Sequence, residues 1–147
     1  MVWKPNVTVA CVVEREGRFL LVEEAEAGAR VLNQPAGHLE EGESLSDAVI
    51  RETREETGWG FEPTALVGLY RWIHPQSGLT FLRAAFTGQL VDHDGGANLD
   101  PDILANHWMD RDALLRSDLG LRSPLVLRCI DDYLAGRRYP LDLMSDL

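Results

Sequence analysis

Glu52, Glu55 and Glu56 crowd into five residues of a segment whose other residues favour a helix. On a wheel of about 100° per residue, Leu45, Ala48 and Val49 fall on one stripe, as the core-facing side of an amphipathic helix should. Continued, that stripe becomes Glu52 and Glu56, with Glu55 at its margin. Like charges three or four residues apart destabilise a helix by about 0.2–0.5 kcal/mol per pair. Carboxylates also have the wrong sign for a helix C-terminus, where the macrodipole favours cations. A hard divalent cation removes both penalties, because such ions take oxygen ligands and bind through a few carboxylates together with phosphate groups. The plainer reading is a solvated acidic face with Arg51 and Arg54 as ion-pair partners. A stripe that begins apolar and turns acidic weighs against it.

The helix that must carry these residues reads from about Ser44 to Thr57. Ser44 and Asp47 stand at capping-box spacing, and Gly58 supplies the stop. Upstream, Val7 to Val13 is β-branched and apolar, Glu16-Gly17 marks a turn, and Arg18 to Glu23 alternates, which together predict a hairpin with a central first strand. Glu24 to Arg30 reads as a loop, Val31 to Pro35 as a short extended piece, and Gly37 to Gly42 as an irregular acidic loop leading into the helix. Downstream, Ala65 to Ile73 and Leu79 to Val91 form a longer hairpin around a His74 to Gly78 turn. Asp92 to Pro101 is a loop, Asn106 to Met109 a short strand and Asp110 to Arg116 a short helix. Ser123 to Ala135 is a longer helix with Ser123 as N-cap. Strands and helices without regular βαβ alternation predict an α/β fold with a mixed sheet packed between helices, in one domain spanning 1–147.

A formal charge of -10, from 24 acidic against 14 basic residues, argues against a nucleic acid polymer or an anionic membrane as partner. The same field repels a small phosphorylated ligand unless bound cations reverse its sign locally. Cys11 and Cys129 lack the spacing of a zinc site and read as buried free thiols in a reducing compartment. Glu14, Arg15 and Glu16 end the first apolar run too early for a signal peptide or membrane span, so a cytoplasmic protein is expected.

Outward from the acidic helix the chain reads Gly37, five residues, Glu43, seven residues, Arg51-Glu52, two residues, Glu55-Glu56, one residue and Gly58. This spacing resembles the Nudix box of the Nudix hydrolase superfamily, over 37–59. Thr53 departs from the usual aliphatic residue, and Trp59 fills the closing hydrophobic position. The strings KPNVTVACVV, NQPAGHLE, LRSPLV and RRYPL extend the likeness along nearly the whole chain, to the bacterial NudJ-type phosphatases. The resemblance implies a Nudix-type α/β/α sandwich. It also implies Mg²⁺-dependent hydrolysis, with Mn²⁺ as a substitute, of phosphoanhydride bonds in nucleoside tri- and diphosphates, in thiamine pyrophosphate and in hydroxymethylpyrimidine pyrophosphate. On the same likeness Glu52, Glu55, Glu56 and the Gly37 carbonyl ligate the metal, Arg51 orients the carboxylates, and Glu43 supports the loop–helix junction or ligates through water. The catalytic set is then Glu52, Arg51 and Glu55, with Glu52 as general base.

No glutamate follows Glu62, so a downstream carboxylate must be Asp92, Asp94, Asp100 or Asp102, of which Asp100 and Asp102 are preferred. Trp72 could stack on a ring, Arg83 or Arg122 could pair with a terminal phosphate, and His38 could touch phosphate. The bland alternatives are a core aromatic for Trp72, a solvent-facing strand residue for Arg83 and a solvated loop histidine for His38. His74, His93 and His107 show no ligand spacing. Three readings remain open at this point: the phosphatase just described, a housecleaning nucleoside triphosphate pyrophosphohydrolase or nucleotide-sugar hydrolase, and a nucleotide-sensing domain of the same fold without turnover. A monomer and a homodimer are both compatible with the pattern.

Overall fold

The computed structural model describes residues 1–147. In chain order the strands are β1 (Asn6–Cys11), β2 (Glu14–Arg15), β3 (Arg18–Glu26), β4 (Ala29–Asn33), β5 (Ala36–His38), β6 (Gly60–Ile73), β7 (Thr80–Val91), β8 (Ile103–Met109) and β9 (Gly120–Leu121). The helices are α1 (Leu45–Thr57), α2 (Arg111–Arg116) and α3 (Leu125–Leu134), and a 3₁₀ turn at Leu141–Leu143 follows. None of these helices is long and apolar enough to cross a membrane.

One sheet has the order β5-β1-β7-β6, and its β1–β7 pair is parallel while the other pairs are antiparallel. β1 is central, as its β-branched run predicts, and its alternating side chains serve two cores. Val9 and Cys11, with Val13 just beyond the strand, pack with Ala48 and Val49 of α1 and with Phe61, Leu66, Ala84 and Phe86. Ala10, with Val12 just beyond the strand, packs with Val126, Cys129 and Ile130 of α3 and with Phe19, Leu21 and Leu32. A helix therefore covers each face, and the fold is an α/β sandwich. Cys11 and Cys129 are buried free thiols, and burial pushes Cys11 up to about 12, so it stays protonated and inert.

The strands divide between two sheets instead of sharing one. In the second, β3 pairs with β2, β4 and β8, and β4 pairs with β9. The expected first hairpin accordingly shrinks to Glu14–Arg15 against Arg18–Phe19, because β1 belongs to the other sheet. Glu24 to Arg30, expected as a loop, is a β3–β4 hairpin turning at Ala27-Gly28. Its small and charged residues carry no apolar alternation, and the pairing comes from the partner strand. Ser123 lies just ahead of α3, where its Oγ accepts the Leu125 N–H at 3.1 Å.

α1 is capped as its residues dictate. The Ser44 hydroxyl accepts the Asp47 N–H at 3.0 Å, and Gly58 ends the helix at φ 78°, donating to the Arg54 carbonyl. A Cβ at Gly58 would also lie 2.6 Å from the Asp94 carbonyl oxygen, because the 92–102 loop packs on this helix end. Gly58→Ala is therefore expected to destabilise the protein by more than about 1 kcal/mol, the left-handed penalty alone. Urea unfolding measures this, and an unchanged midpoint contradicts it.

Candidate active site

Arg51 organises the acidic helix. Its Nε and Nη2 donate to the two Glu43 carboxylate oxygens at 3.0 and 2.7 Å, and its Nη1 donates to Glu52 at 2.8 Å and to Glu55 at 3.1 Å. Nη2 also donates to the His38 carbonyl at 3.0 Å. One planar guanidinium thus ties α1 to the acidic loop and to β5. The Glu43 partnership, supported by the Glu40 N–H, holds the Glu43 carboxyl below the usual carboxylate range.

The apolar stripe does end in buried carboxylates. Glu52 and Glu56 are 8% and 6% exposed, whereas Glu55 is open to solvent. Thr53 and Thr57, also buried, satisfy their hydroxyls on the helix carbonyls of Val49 and Thr53. Burial raises the Glu52 carboxyl above its ordinary range, against the opposing hydrogen bond from Arg51. Burial pushes Glu56 up to about 9, and the negative charges of Glu24, Glu52 and Asp100 add to it.

β5 is the edge strand these groups meet. The ladder to β1 is flanked by the Cys11 N–H to Pro35 and Leu39 N–H to Val7 bonds, so Gly37 is the hydrogen-bonded partner of Val9. The backbone groups of Ala36 and His38 face the free edge, where the Ala36 N–H donates to Glu56 at 2.8 Å and Arg51 takes the His38 carbonyl. The Gly37 carbonyl thus points into the ladder, and the backbone oxygen that shares the Ala36 N–H direction is that of Ala36. What Gly37 contributes is space: a Cβ there would collide with the Glu52 carboxylate.

The 92–102 loop brings a further acid to the helix end. The Asp100 N–H donates to the Glu55 carbonyl at 2.9 Å, and the Asp100 charge acts on both Glu52 and Glu56. Asp102 is exposed, and its N–H donates to the Asp100 carboxylate at 3.1 Å. Asp92 and Asp94 are exposed as well. In this conformation no three acidic or histidine side chains close into a ready coordination shell, since Arg51 stands among Glu43, Glu52 and Glu55.

A cavity of about 540 Å³ opens on the other side of β5, a size suited to a nucleoside-sized ligand. Trp72, Arg83, Arg122 and His38 all line it, beside Gly37. Register explains the side. Thr8 pairs with His38 and with Arg83, and lies two residues from Ala10, so these residues share the α3 face, whereas the Glu52 carboxylate sits over Gly37 on the α1 side. His38 is exposed, Trp72 is half-buried and Arg83 is buried. Arg122 is held by Glu24 at 3.3 Å and Glu26 at 3.2 Å. His74 also lines the cavity; His93 and His107 do not, and sit instead on the Thr57 carbonyl and on Glu23.

Glu24 was not anticipated. It is buried in the cavity wall, accepts from Asn33 Nδ2 at 3.2 Å and from Arg122, and lies near enough to Glu56 to raise its proton affinity. Nothing in the sequence distinguishes it from Glu23 and Glu26; only the β3–β4 pairing aims it inward.

The NUDIX domain family model matches residues 4–128, and the chain belongs to the Nudix family. It is a Nudix hydrolase, an enzyme of a class that acts on small phosphorylated substrates at phosphoanhydride bonds and generally uses a divalent metal. More particularly, it is similar to Phosphatase NudJ of Escherichia coli strain K12, 43% identical over 144 residues, 98% of this chain and 93% of the relative. Phosphatase NudJ of Shigella sonnei strain Ss046 gives the same figures, 43% identity with 98% and 93% coverage. A solved NUDIX hydrolase from Nitrosomonas europaea matches with a TM-score of 0.95 at 48% identity, covering 98% of both chains. A MutT NUDIX hydrolase from Burkholderia pseudomallei, 22% identical over 88% of this chain and 98% of its own, shares the fold with a TM-score of 0.74.

The burial of Glu56 predicts a pH dependence. Its ordinary value is 4.5 and its folded value is about 9, so between those limits the folded chain holds a proton that the unfolded chain has lost. This contribution to stability is full below about pH 4.5 and is lost as pH rises through 9. Thermal unfolding of chelator-treated protein should show a midpoint that falls across that window, and Glu56→Gln should flatten the fall. An equal slope in wild type and variant contradicts the assignment.

Proposed function

We propose that this enzyme is a Mg²⁺-dependent phosphatase, with Mn²⁺ able to substitute, that hydrolyses the phosphoanhydrides of nucleoside tri- and diphosphates and of thiamine or hydroxymethylpyrimidine pyrophosphate. The observation that carries this reading is the pair of buried carboxylates, Glu52 and Glu56, gathered at the β5 edge beside a nucleoside-sized cavity. The donors are all oxygens, as a hard cation requires: Glu52, Glu56, the Ala36 carbonyl and Asp100 from the loop, with Glu55 at the exposed rim, would hold it once drawn together around the ion. A carboxylate pair buried together needs either a proton or a cation, and the missing Cβ of Gly37 leaves the room that Glu52 takes. Mg²⁺ bound there would neutralise charge on the non-bridging phosphate oxygens.

The rest falls to the chain's own residues. Glu52 takes the proton of the attacking water, a task suited to a carboxyl whose proton affinity is raised by burial. Arg51 fixes the direction of the Glu52 and Glu55 carboxylates, and Glu43 fixes Arg51. Arg122, His38 and Trp72 line the cavity beside β5; there Arg122 and His38 would meet the phosphate chain beyond the carboxylates, and Trp72 would flank the remainder of the substrate. The likeness to Phosphatase NudJ supports release of phosphate over release of pyrophosphate.

The test is phosphorus NMR of the products formed from GTP, GDP and thiamine pyrophosphate in ¹⁸O-labelled water with Mg²⁺. Inorganic phosphate is expected, and Glu52→Gln should lower kcat by about 10²- to 10⁴-fold, the usual worth of a general base. Pyrophosphate as product overturns the phosphatase reading, and turnover indifferent to Glu52→Gln overturns the mechanism.

A further inference from the structure

Arg83 is a cation for which the protein supplies no anion. It is 5% exposed, and no carboxylate pairs with it. Its Nη1 donates to Gln34 Oε1 at 2.8 Å, with Cys129 Sγ at 3.9 Å, and its Nη2 donates to Asn33 Oδ1 at 3.1 Å. A guanidinium has five N–H donors, so three acceptors leave two unmet, and Nε is buried without any partner. A buried charge held only by neutral acceptors is costly unless a ligand supplies a further one, and with Nε sealed in the wall the second Nη2 hydrogen is the donor left to meet it.

Nor is this arginine free to swing toward the acidic helix. Asn33 is fixed by donating to Glu24 at 3.2 Å, and Gln34 by donating to the Val126 carbonyl at 2.8 Å. Arg83 lies on β7, two strands in from the β5 edge, which at about 4.8 Å per strand places its backbone roughly 9–10 Å from that edge. Its guanidinium is held by Asn33 and Gln34 on the α3 face, whereas Glu52 lies over Gly37 on the α1 side, so it is set for a group beyond the phosphate chain. Its neighbours on the same face are flat and apolar: Phe81 stands two residues along β7, and Trp72 is the cross-strand partner of Phe81, the rings stacked 5.9 Å apart at 29°. Leu79 and Leu125 extend the same wall.

We propose that Arg83 is a specificity-determining residue that reads the hydrogen-bond-accepting edge of a planar heterocycle seated against Trp72, remote from the bond that is cleaved. This assignment rests on the hydrolase reading for the direction of the substrate, but not for the binding of the ring. It separates the two faces of β5: phosphates at the carboxylates, ring at the arginine.

Three probes test it: GTP, inorganic tripolyphosphate, which has the anhydride but no ring, and free guanosine, which has the ring but no anhydride. Losing the guanidinium contact to a ring edge is expected to lower kcat/KM for GTP by about 5-fold or more in Arg83→Met, from the low end of the range for base-edge contacts. Turnover of tripolyphosphate should change by less than about twofold. Arg83→Lys keeps the charge and the stem but loses the planar donor pair. It should show the same selective loss, and it carries the test if the methionine variant does not fold. Guanosine binding by calorimetry should weaken in parallel in either variant. A parallel fall for GTP and tripolyphosphate assigns Arg83 to the phosphates and overturns the proposal, as does guanosine binding unchanged by either variant. Absence of turnover in the wild type would count against the hydrolase reading alone, since the guanosine measurement stands apart from it.

Discussion

Two carboxylates occupy a position where helix packing calls for leucine, and much of the architecture follows from accommodating them. Glu52 and Glu56 prolong the stripe that Ala48 and Val49 begin, and both are turned inward against the edge of β5. Buried carboxylates without compensation are driven to the neutral form, and Glu56 is displaced accordingly. Around this pair the chain has arranged a strand with a glycine at its closest approach, an arginine that fixes one carboxylate from outside, and a loop that delivers Asp100 to the helix end. Each device holds the pair in place; none neutralises it fully. In the proposed function, a cation arriving with phosphates completes the neutralisation.

The mixed sheet keeps the buried carboxylates and the cavity apart yet adjacent, which the proposed function assigns to chemistry and to recognition. β1 sends alternate residues to the α1 core and the α3 core, and its neighbours in register do the same. The carboxylates lie on the α1 side, the cavity lies on the α3 side, and the three-residue β5 is the only strand between them at that edge. In the proposed reading, so short an edge strand lets one substrate reach both faces. Glu24 links the halves, since it lines the cavity, anchors Arg122 and Asn33, and is felt by Glu56. It arrives from the second sheet, which therefore contributes to the site as well as to the core.

How much of this was legible in the chain depends on the range of the interaction involved. The acidic continuation of an apolar stripe, the Ser44 cap and the Gly58 stop are governed by neighbours within a turn or two, and the structure agrees with them. The spacing from Gly37 to Gly58 carried the family. The β3–β4 hairpin was missed because Ala25, Glu26, Ala29 and Arg30 have neither branched side chains nor alternation, and their strand character comes from the partner strand. The same non-local pairing turns Glu24 inward and buries Arg83 beneath Asn33 and Gln34, where its charge alone suggested a solvent-facing side chain. Choosing Asp100 over Asp102 needed the bond from its N–H to the Glu55 carbonyl. The direction of the Gly37 carbonyl needed the β1–β5 register.

The central claim, that Glu52 and Glu56 are buried together to receive a divalent cation, has a thermodynamic signature independent of turnover. Burial and the neighbouring carboxylates raise the proton affinity of Glu56, so a cation bound at this pair is expected to displace a proton. Titrating MgCl₂ into chelator-treated protein at pH 7, in buffers of different ionisation enthalpy, measures that release directly. The account predicts saturable binding accompanied by proton release that disappears in Glu56→Gln. Absence of binding, or binding with no proton released from the wild type, would contradict it.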